Sequence, residues 1–171
     1  MPNMKYKTYT DGDGMNTEVE EKIKKLGFTL PELPKALGSY LPCIVSGTLA
    51  FISGVIPVKD GKVLTGKFGK ELTTDDAKEI GKAVVLSILS NIKSAIGTLD
   101  KIERVLKIEG FVNSTADFKE QPAVLNEVSN LIVEIFGEKG KHSRIAIGVN
   151  SLPLGAAIEV SVIIEIKKTS R

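Results

Sequence analysis

Apolar positions along this chain recur at two periods, and the switches between them divide it into elements. Val19, Ile23 and Leu26 stand at helical intervals before Gly27, and Thr17 followed by Glu20 has the spacing of a capping box. The spacing predicts a short amphipathic helix that docks by its apolar stripe. Thr29 to Pro34 is punctuated by proline and reads as an extended connector. From Pro42 to Ile56 the pattern becomes β-like. Cys43, Ile44 and Val45, then Leu49, Phe51 and Ile52, flank a Ser46-Gly47-Thr48 turn and predict a hairpin. A second turn, Lys59-Asp60-Gly61-Lys62, parts Ile56 and Val58 from Val63 and Leu64.

The helical period then returns. Ala77, Ile80, Val84, Ile88, Ile92 and Ile96 form a stripe that ends at Gly97, with Thr73 as cap and Asp75 and Asp76 in an acidic first turn. Ala83, Val85, Leu89 and Ala95 widen the stripe, which predicts deep burial on a sheet. Val105 to Val112 reads as a strand, and Pro122 opens a second helix through Val124, Val128, Leu131, Ile132 and Ile135 to a stop at Gly137. Two alternating runs close the chain: Ile145, Ile147, Val149, then Val160, Val162, Ile164, Ile166. The order ββ(β)αβαββ, without internal repeats, predicts an α+β fold of two layers, a mainly antiparallel sheet with two helices on one face. On the last strand the valine and isoleucine face suits the helices. Glu159, Ser161, Ile163 and Glu165 turn the other way, where Ile163 suits an interface or stands as a singly exposed isoleucine.

With 171 residues the chain suits one compact domain able to bury its own core. Residues 1–36 read as tail, short helix and connector, and residues 37–171 as the domain. A single cysteine, Cys43, excludes an internal disulfide, and with a single histidine, His142, no protein-borne metal site is expected. No apolar run approaches the ~20 residues of a membrane helix. The N-terminus also lacks an apolar signal segment, so a cytosolic protein is expected. A formal net charge of +2 exerts little pull on nucleic acid or anionic membrane. The clusters Lys22, Lys24, Lys25 and Lys167, Lys168, Arg171 read as solvated surface. Without tryptophan, and with 5% aromatics, stacking platforms for single-stranded RNA are scarce.

Candidate chemistry gathers at the C-terminal end. Arg144 precedes one alternating run and Glu159 lies beside the other. Folding back of the Asn150 to Gly155 segment near Ser151 and Leu152 makes a hairpin in which Arg144 stands almost opposite Glu159, guanidinium and carboxylate on one wall. On pattern alone such a pair is most often a surface ion pair worth ~0 to 1 kcal/mol.

The string Ser143-Arg144-x-Ala146-x-Gly148-Val149, then Leu152-Pro153, then Ile158-Glu159-Val160, resembles the C-terminal signature of the Rid family, the reactive intermediate deaminases, also known as YjgF-like or L-PSP endoribonuclease proteins. Gly38-Ser39-Tyr40, Phe51-Ile52-Ser53-Gly54-x-Ile56-Pro57, and Phe118 with Leu125-Asn126-Glu127 carry the resemblance in order over Leu37 to Lys167. It implies a chorismate-mutase-like, YjgF-like fold and a homotrimer whose sheets form a central barrel with clefts between subunits. Active members hydrolyse 2-imino acids, such as 2-iminobutanoate, to 2-oxo acids and ammonia without a cofactor. In these terms Arg144 and Glu159 are the catalytic pair. Arg144 offers a planar fork for a small carboxylate, and Glu159 handles the attacking water, help worth ~10² to 10⁴ in rate. Tyr40, Ser53, Asn126 and Ala146 match substrate-binding positions. Duller roles stay open: a packing tyrosine, a strand end set by its backbone, an amide bonding locally near a helix start.

Four positions depart from the family pattern. Ala146 stands where many active relatives have cysteine, Val55 where glutamine is common, Ser161 where a second acid is usual, and His142 where proline is frequent. A lone loop histidine is more often exposed than catalytic, although here it could rim the cleft and titrate near neutral pH. The N-terminal helix and the block Leu152-Pro153-Leu154-Gly155-Ala156-Ala157-x-Glu159 point to a longer subfamily. Three functions stay open: an imine deaminase, a non-enzymatic interface protein that binds a small carboxylate, and an endoribonuclease or translation inhibitor. Near-neutral charge, scarce aromatics and the lack of paired histidines argue against the third.

Overall fold

The computed structural model describes residues 18–32 and 40–168. Thr17 of the capping box, the stretch 33–39 that includes Gly38 and Ser39, and Arg171 of the basic tail lie outside the described residues. The elements are α1 (Glu18–Lys25), β1 (Cys43–Ser46), β2 (Leu49–Val55), β3 (Val58–Lys59), β4 (Lys62–Val63), α2 (Ala77–Ile96), β5 (Ile102–Asn113), α3 (Gln121–Phe136), β6 (Ser143–Val149) and β7 (Ile158–Ile166). Strands β3 and β4 form a small separate ribbon. The other five make one sheet in the order β1-β2-β7-β5-β6. Its pairings are antiparallel except β5 with β6, so the α+β, mainly antiparallel reading holds with one parallel edge.

Both long helices lie on one face of this sheet. Val84, Ile88 and Ile92 of α2 and Val124, Val128 and Ile132 of α3 are buried against Ile108 and Val112 of β5 and Val160, Val162 and Ile164 of β7. Apolar burial at period 3.6 meeting burial at period 2 is what holds the two layers together. Helix α1 belongs to the same core through Ile23, with Val19 and Leu26 packed at its margin. Its first backbone N–H groups are satisfied from afar. Asp100 accepts from Glu18 N at 3.1 Å and from Val19 N at 3.0 Å, doing the work of a local cap. Buried Glu20 on the same helix pairs with Lys93 of α2 at 3.1 Å. Just ahead of α2, Asp76 Oδ2 accepts from Thr73 N at 2.8 Å across a single 3-10 turn, so Asp76, predicted to lie in the first turn, is itself the residue that caps α2, and Thr73 starts the turn before it.

The predicted hairpin between β6 and β7 does not form. Strand β6 runs parallel to β5, with Arg144 paired to Ile108 and Ile147 to Phe111. Strand β7 lies on the other edge of β5, with Glu159 paired to Phe111 and Val162 to Ile108. The connection is too well anchored elsewhere to act as a tight turn. Gly66 N donates to Gly155 O at 3.1 Å, Ala157 N to Leu64 O at 3.0 Å and Asn113 N to Ala157 O at 3.0 Å, which carries the chain across the end of β5. Leu154 takes a left-handed conformation (φ 55°) inside this crossing.

Gly110 of β5 marks how closely α3 approaches the sheet, since a Cβ there would lie 1.7 Å from Leu125 Cδ1. Gly110→Ala is expected to cost ~1 to 3 kcal/mol through overpacking. In urea denaturation this should appear as a lowered midpoint with an unchanged slope.

Candidate functional site

Side chains on β6 alternate between the two faces of the sheet. Ile145 and Ile147 lie exposed on the open face, while Arg144, Ala146 and Gly148 turn toward α3. Gly148 keeps this seam narrow, because a Cβ on it would lie 2.7 Å from both Gln121 Nε2 and Ser114 Oγ. Across the seam Arg144 Nη1 donates to Asn126 Oδ1 at 3.1 Å and to Ser129 Oγ at 3.0 Å, and Nη2 donates to Pro122 O at 3.4 Å. All three acceptors are neutral oxygens. Among the described residues no carboxylate pairs with Arg144, so its charge is held in position but not neutralised.

The backbone adds a donor at the same place. Val149 O accepts from Ser114 N at 3.1 Å, so its polar groups face β5. Successive residues of a strand point their backbone groups to opposite edges, which leaves those of Arg144, Ala146 and Gly148 on the free edge of β6. Ala146 N–H thus opens on the free edge of the strand that carries Arg144.

Glu159 is on the opposite face of the sheet. It pairs with Phe111, not with Arg144, and the shared wall expected from a hairpin is replaced by two groups on opposite faces of the sheet. The surface ion pair between them is absent for the same reason. Glu159 is half-buried over Gly54 of β2, where an added Cβ would sit 2.0 Å from its Oε1, and burial raises its carboxyl above the ordinary carboxylate range. Next to Gly54, Ser53 Oγ donates to Leu41 O at 2.7 Å and Ser53 N to Pro42 O at 3.0 Å, tying the end of β2 to the segment that follows Tyr40. The Tyr40 side chain is 54% exposed and does not pack as a core tyrosine. Glu159, Ser53 and the Tyr40 segment therefore form one group, and Arg144, Ala146 and Asn126 the other.

The four departures acquire definite surroundings. Val55 is buried and paired with Val160, so it belongs to the core. His142 is half-buried with both ring nitrogens engaged, Nδ1 with Gly140 O at 2.6 Å and Nε2 with Ser129 Oγ at 3.0 Å. Ser161 Oγ donates to Glu109 Oε2 at 3.0 Å, which sets a carboxylate from β5 beside the place where β7 lacks one. Lys107, at 2.6 Å, and then Ser161 hold Glu109 below the ordinary carboxylate range. Ala146 leaves room and offers only its backbone. Sequence reading missed Ser129 and Glu109. The signals available were the helical spacing of Ser129 three residues beyond Asn126, and the alternation of Glu109 with Lys107 and Phe111. Cys43, the only thiol, is pushed up by burial and is a poor nucleophile.

The family model described as "YjgF/chorismate mutase-like, putative endoribonuclease" matches residues 20–166. The chain belongs to this family. The match starts within α1, further toward the N-terminus than the Leu37 at which the resemblance in sequence was seen to begin. Among YjgF-like relatives, Protein TCP17 of Trypanosoma cruzi is 38% identical over 150 residues, covering 86% of this chain and 94% of that protein. The crystal structure of Atu1372 from Agrobacterium tumefaciens, described as of unknown function, has 40% identity and a TM-score of 0.80, with 87% of this chain and 92% of that one covered. A Shewanella oneidensis structure that shares the family's endoribonuclease description has 31% identity and a TM-score of 0.83, covering 86% and 99%. Among the described residues no helix is long and apolar enough to cross a membrane.

The burial of Glu159 has a consequence for stability. Its folded-state pKa lies above the unfolded value, so its contribution is fully present below the unfolded carboxylate pKa and is lost as pH rises through the raised folded value. Glu159→Gln is expected to raise the thermal midpoint at neutral pH, with the gain vanishing below about pH 4. Scanning calorimetry across that range checks it.

Proposed function

We propose that this YjgF-like protein is an imine/enamine hydrolase of the cytosol that converts small 2-imino acids to 2-oxo acids and ammonia, with its active sites shared between copies in a homotrimer. One observation carries the reading: a guanidinium oriented by neutral oxygens and free of any carboxylate among the described residues, on an edge strand whose outward backbone N–H groups the sheet does not use. That arrangement suits a small carboxylate held by two donors from arginine and one from Ala146.

The chemistry then needs a group that handles protons, and Glu159 suits it because its raised pKa brings the carboxyl closer to neutrality. Water attacks the imine carbon as Glu159 takes a proton from it, and the C=N electrons move to nitrogen. From the protonated imine this gives a neutral carbinolamine, which then collapses: Glu159 returns its proton to nitrogen, the C–N electrons leave with ammonia, the hydroxyl O–H electrons form the C=O bond of the 2-oxo acid, and the hydroxyl proton passes to the Glu159 carboxylate and on to solvent. Ser53 and Tyr40 frame the carboxylate half, and Asn126 orients Arg144 in the other.

Because Arg144 and Glu159 lie on opposite faces of one sheet, a complete site draws them from two copies. The open face favours such an assembly, since Ile44, Val45, Phe51, Ile145 and Ile147 are all at least 40% exposed on it or at its rim. A contact that joins the β6 edge of one copy to the Glu159 face of the next uses two different surfaces, and repetition closes it into a ring.

Coupling a dehydratase that generates 2-iminobutanoate to a readout of free imine tests the activity. Wild type should speed clearance, and Arg144→Ala should fall to the uncatalysed rate. Equal clearance by the two sinks the reading. Shared sites have a separate signature: coexpressed Arg144→Ala and Glu159→Gln chains, each inactive alone, should regain about a quarter of wild-type activity by random mixing around the ring. No recovery would mean that each site comes from one copy.

The separation of the halves also favours a second reading, a carboxylate-binding interface protein without turnover. Binding of 2-oxobutanoate that survives Glu159→Gln, with no turnover of several imines, selects it. The endoribonuclease description of the relatives is not carried over, because a net charge of +2 and 5% aromatics offer a polynucleotide little purchase.

A further inference from the structure

We infer that His142 is a positioning residue for Arg144, acting through Ser129 to decide which edge of the guanidinium is offered to a ligand; this rests on Arg144 holding the substrate carboxylate. The direction of each hydrogen bond follows from chemistry. Gly140 O can only accept, so His142 Nδ1, 2.6 Å away, carries the proton and donates. In the tautomer with its proton on Nδ1, Nε2 is an acceptor, and the Ser129 hydroxyl, 3.0 Å away, donates to it. The oxygen of Ser129 is left to accept from Arg144 Nη1 at 3.0 Å. Every member of the chain from Gly140 to Arg144 thus meets a group of the opposite kind.

This relay changes what Arg144 exposes. Nη1 has two N–H groups, and Asn126 and Ser129 take both. Nη2 spends one on Pro122 O, and Nε makes no hydrogen bond among the described residues. What remains is Nε–H and the second Nη2–H, two donors left for a carboxylate. Without His142 the Ser129 hydroxyl is free to bond back to the carbonyl of Leu125, one turn earlier on α3, and its oxygen swings off the guanidinium. Arg144 would then regain rotamers that its binding role excludes.

The backbone is shaped to make the relay possible. His142 immediately precedes β6, two residues before Arg144. Gly140 packs so closely on α3 that a Cβ would lie 2.7 Å from Ile132 O, which brings its carbonyl and the following imidazole to the helix that bears Ser129. Histidine at this position, where proline is frequent in the resembling family, is thereby given a role by its contacts.

Calorimetric titration of the full chain with 2-oxobutanoate, joined to imine kinetics, tests the inference. Ser129→Ala and His142→Asn, whose shorter amide keeps a donor near Gly140 but does not reach Ser129, should each weaken binding about tenfold. The effect should fall on KM and leave kcat within about twofold. His142→Gln, with an acceptor at the place of Nε2, should restore binding. The double variant Ser129→Ala/His142→Asn should bind no more weakly than Ser129→Ala, because His142 acts only through the serine. Unchanged binding in His142→Asn, or an equal further loss in the Ser129→Ala background, overturns the inference. Arg144→Ala separates this failure from that of the proposed function. If Arg144→Ala binds like wild type, the carboxylate role itself is wrong; if it abolishes binding while His142→Asn does not weaken it, only the relay is wrong.

Discussion

The placement of β5 between β6 and β7 governs everything that the candidate site can do. Parallel strands cannot be joined by a tight turn, so the parallel pairing of β5 with β6 requires a crossover, and α3 is that crossover. Its presence over the seam is what gives Arg144 the side chains of Asn126 and Ser129 to lean on. The same arrangement makes β6 an edge strand, which leaves the backbone donors of Arg144 and Ala146 unused by the sheet. On the other side of β5, the alternation of β7 sends Val160 and Val162 into the core and Glu159 to the open face.

Electrostatics separates these groups from the ordinary charges of the surface. Lys59 with Glu79, Lys107 with Glu109 and Lys139 with Glu103 are ion pairs whose partners satisfy one another. Arg144 and Glu159 have no such partner among the described residues. The first keeps its charge because neutral oxygens orient it, and the second has a raised pKa because burial penalises its ionised form. An oriented, unneutralised cation and a partly desolvated carboxyl are expensive features in a stable fold, and they recur where chemistry needs them.

Much of the secondary structure was legible because local patterns decide it. The stripe from Ala77 to Ile96 ends at Gly97, whose φ of 88° few other residues adopt, and the turn at Asp60-Gly61 uses two consecutive residues at positive φ. The β6 and β7 strands were also evident from alternation, but the partner of each was not. Both runs pair equally well in pattern with each other or with β5, and the choice is made by the anchored crossing through Gly155 and Ala157 and by burial of α3. Ser129 and His142 were obscure for a related reason. Their meaning lies in a meeting between a helix and a loop thirteen residues apart, which no period records.

By itself, then, the sequence determined the elements and the two-layer α+β class, because periodicity, caps and turns are short-range properties. It also placed Glu159 on the face of β7 that turns away from the helices. Only the tertiary structure decided that Arg144 and Glu159 face away from one another, that Arg144 rests on α3, and that His142 stands behind it. The reason is that strand order and side-chain direction across a sheet are settled by the burial of the whole apolar face, a long-range condition that a run of residues satisfies in more than one way.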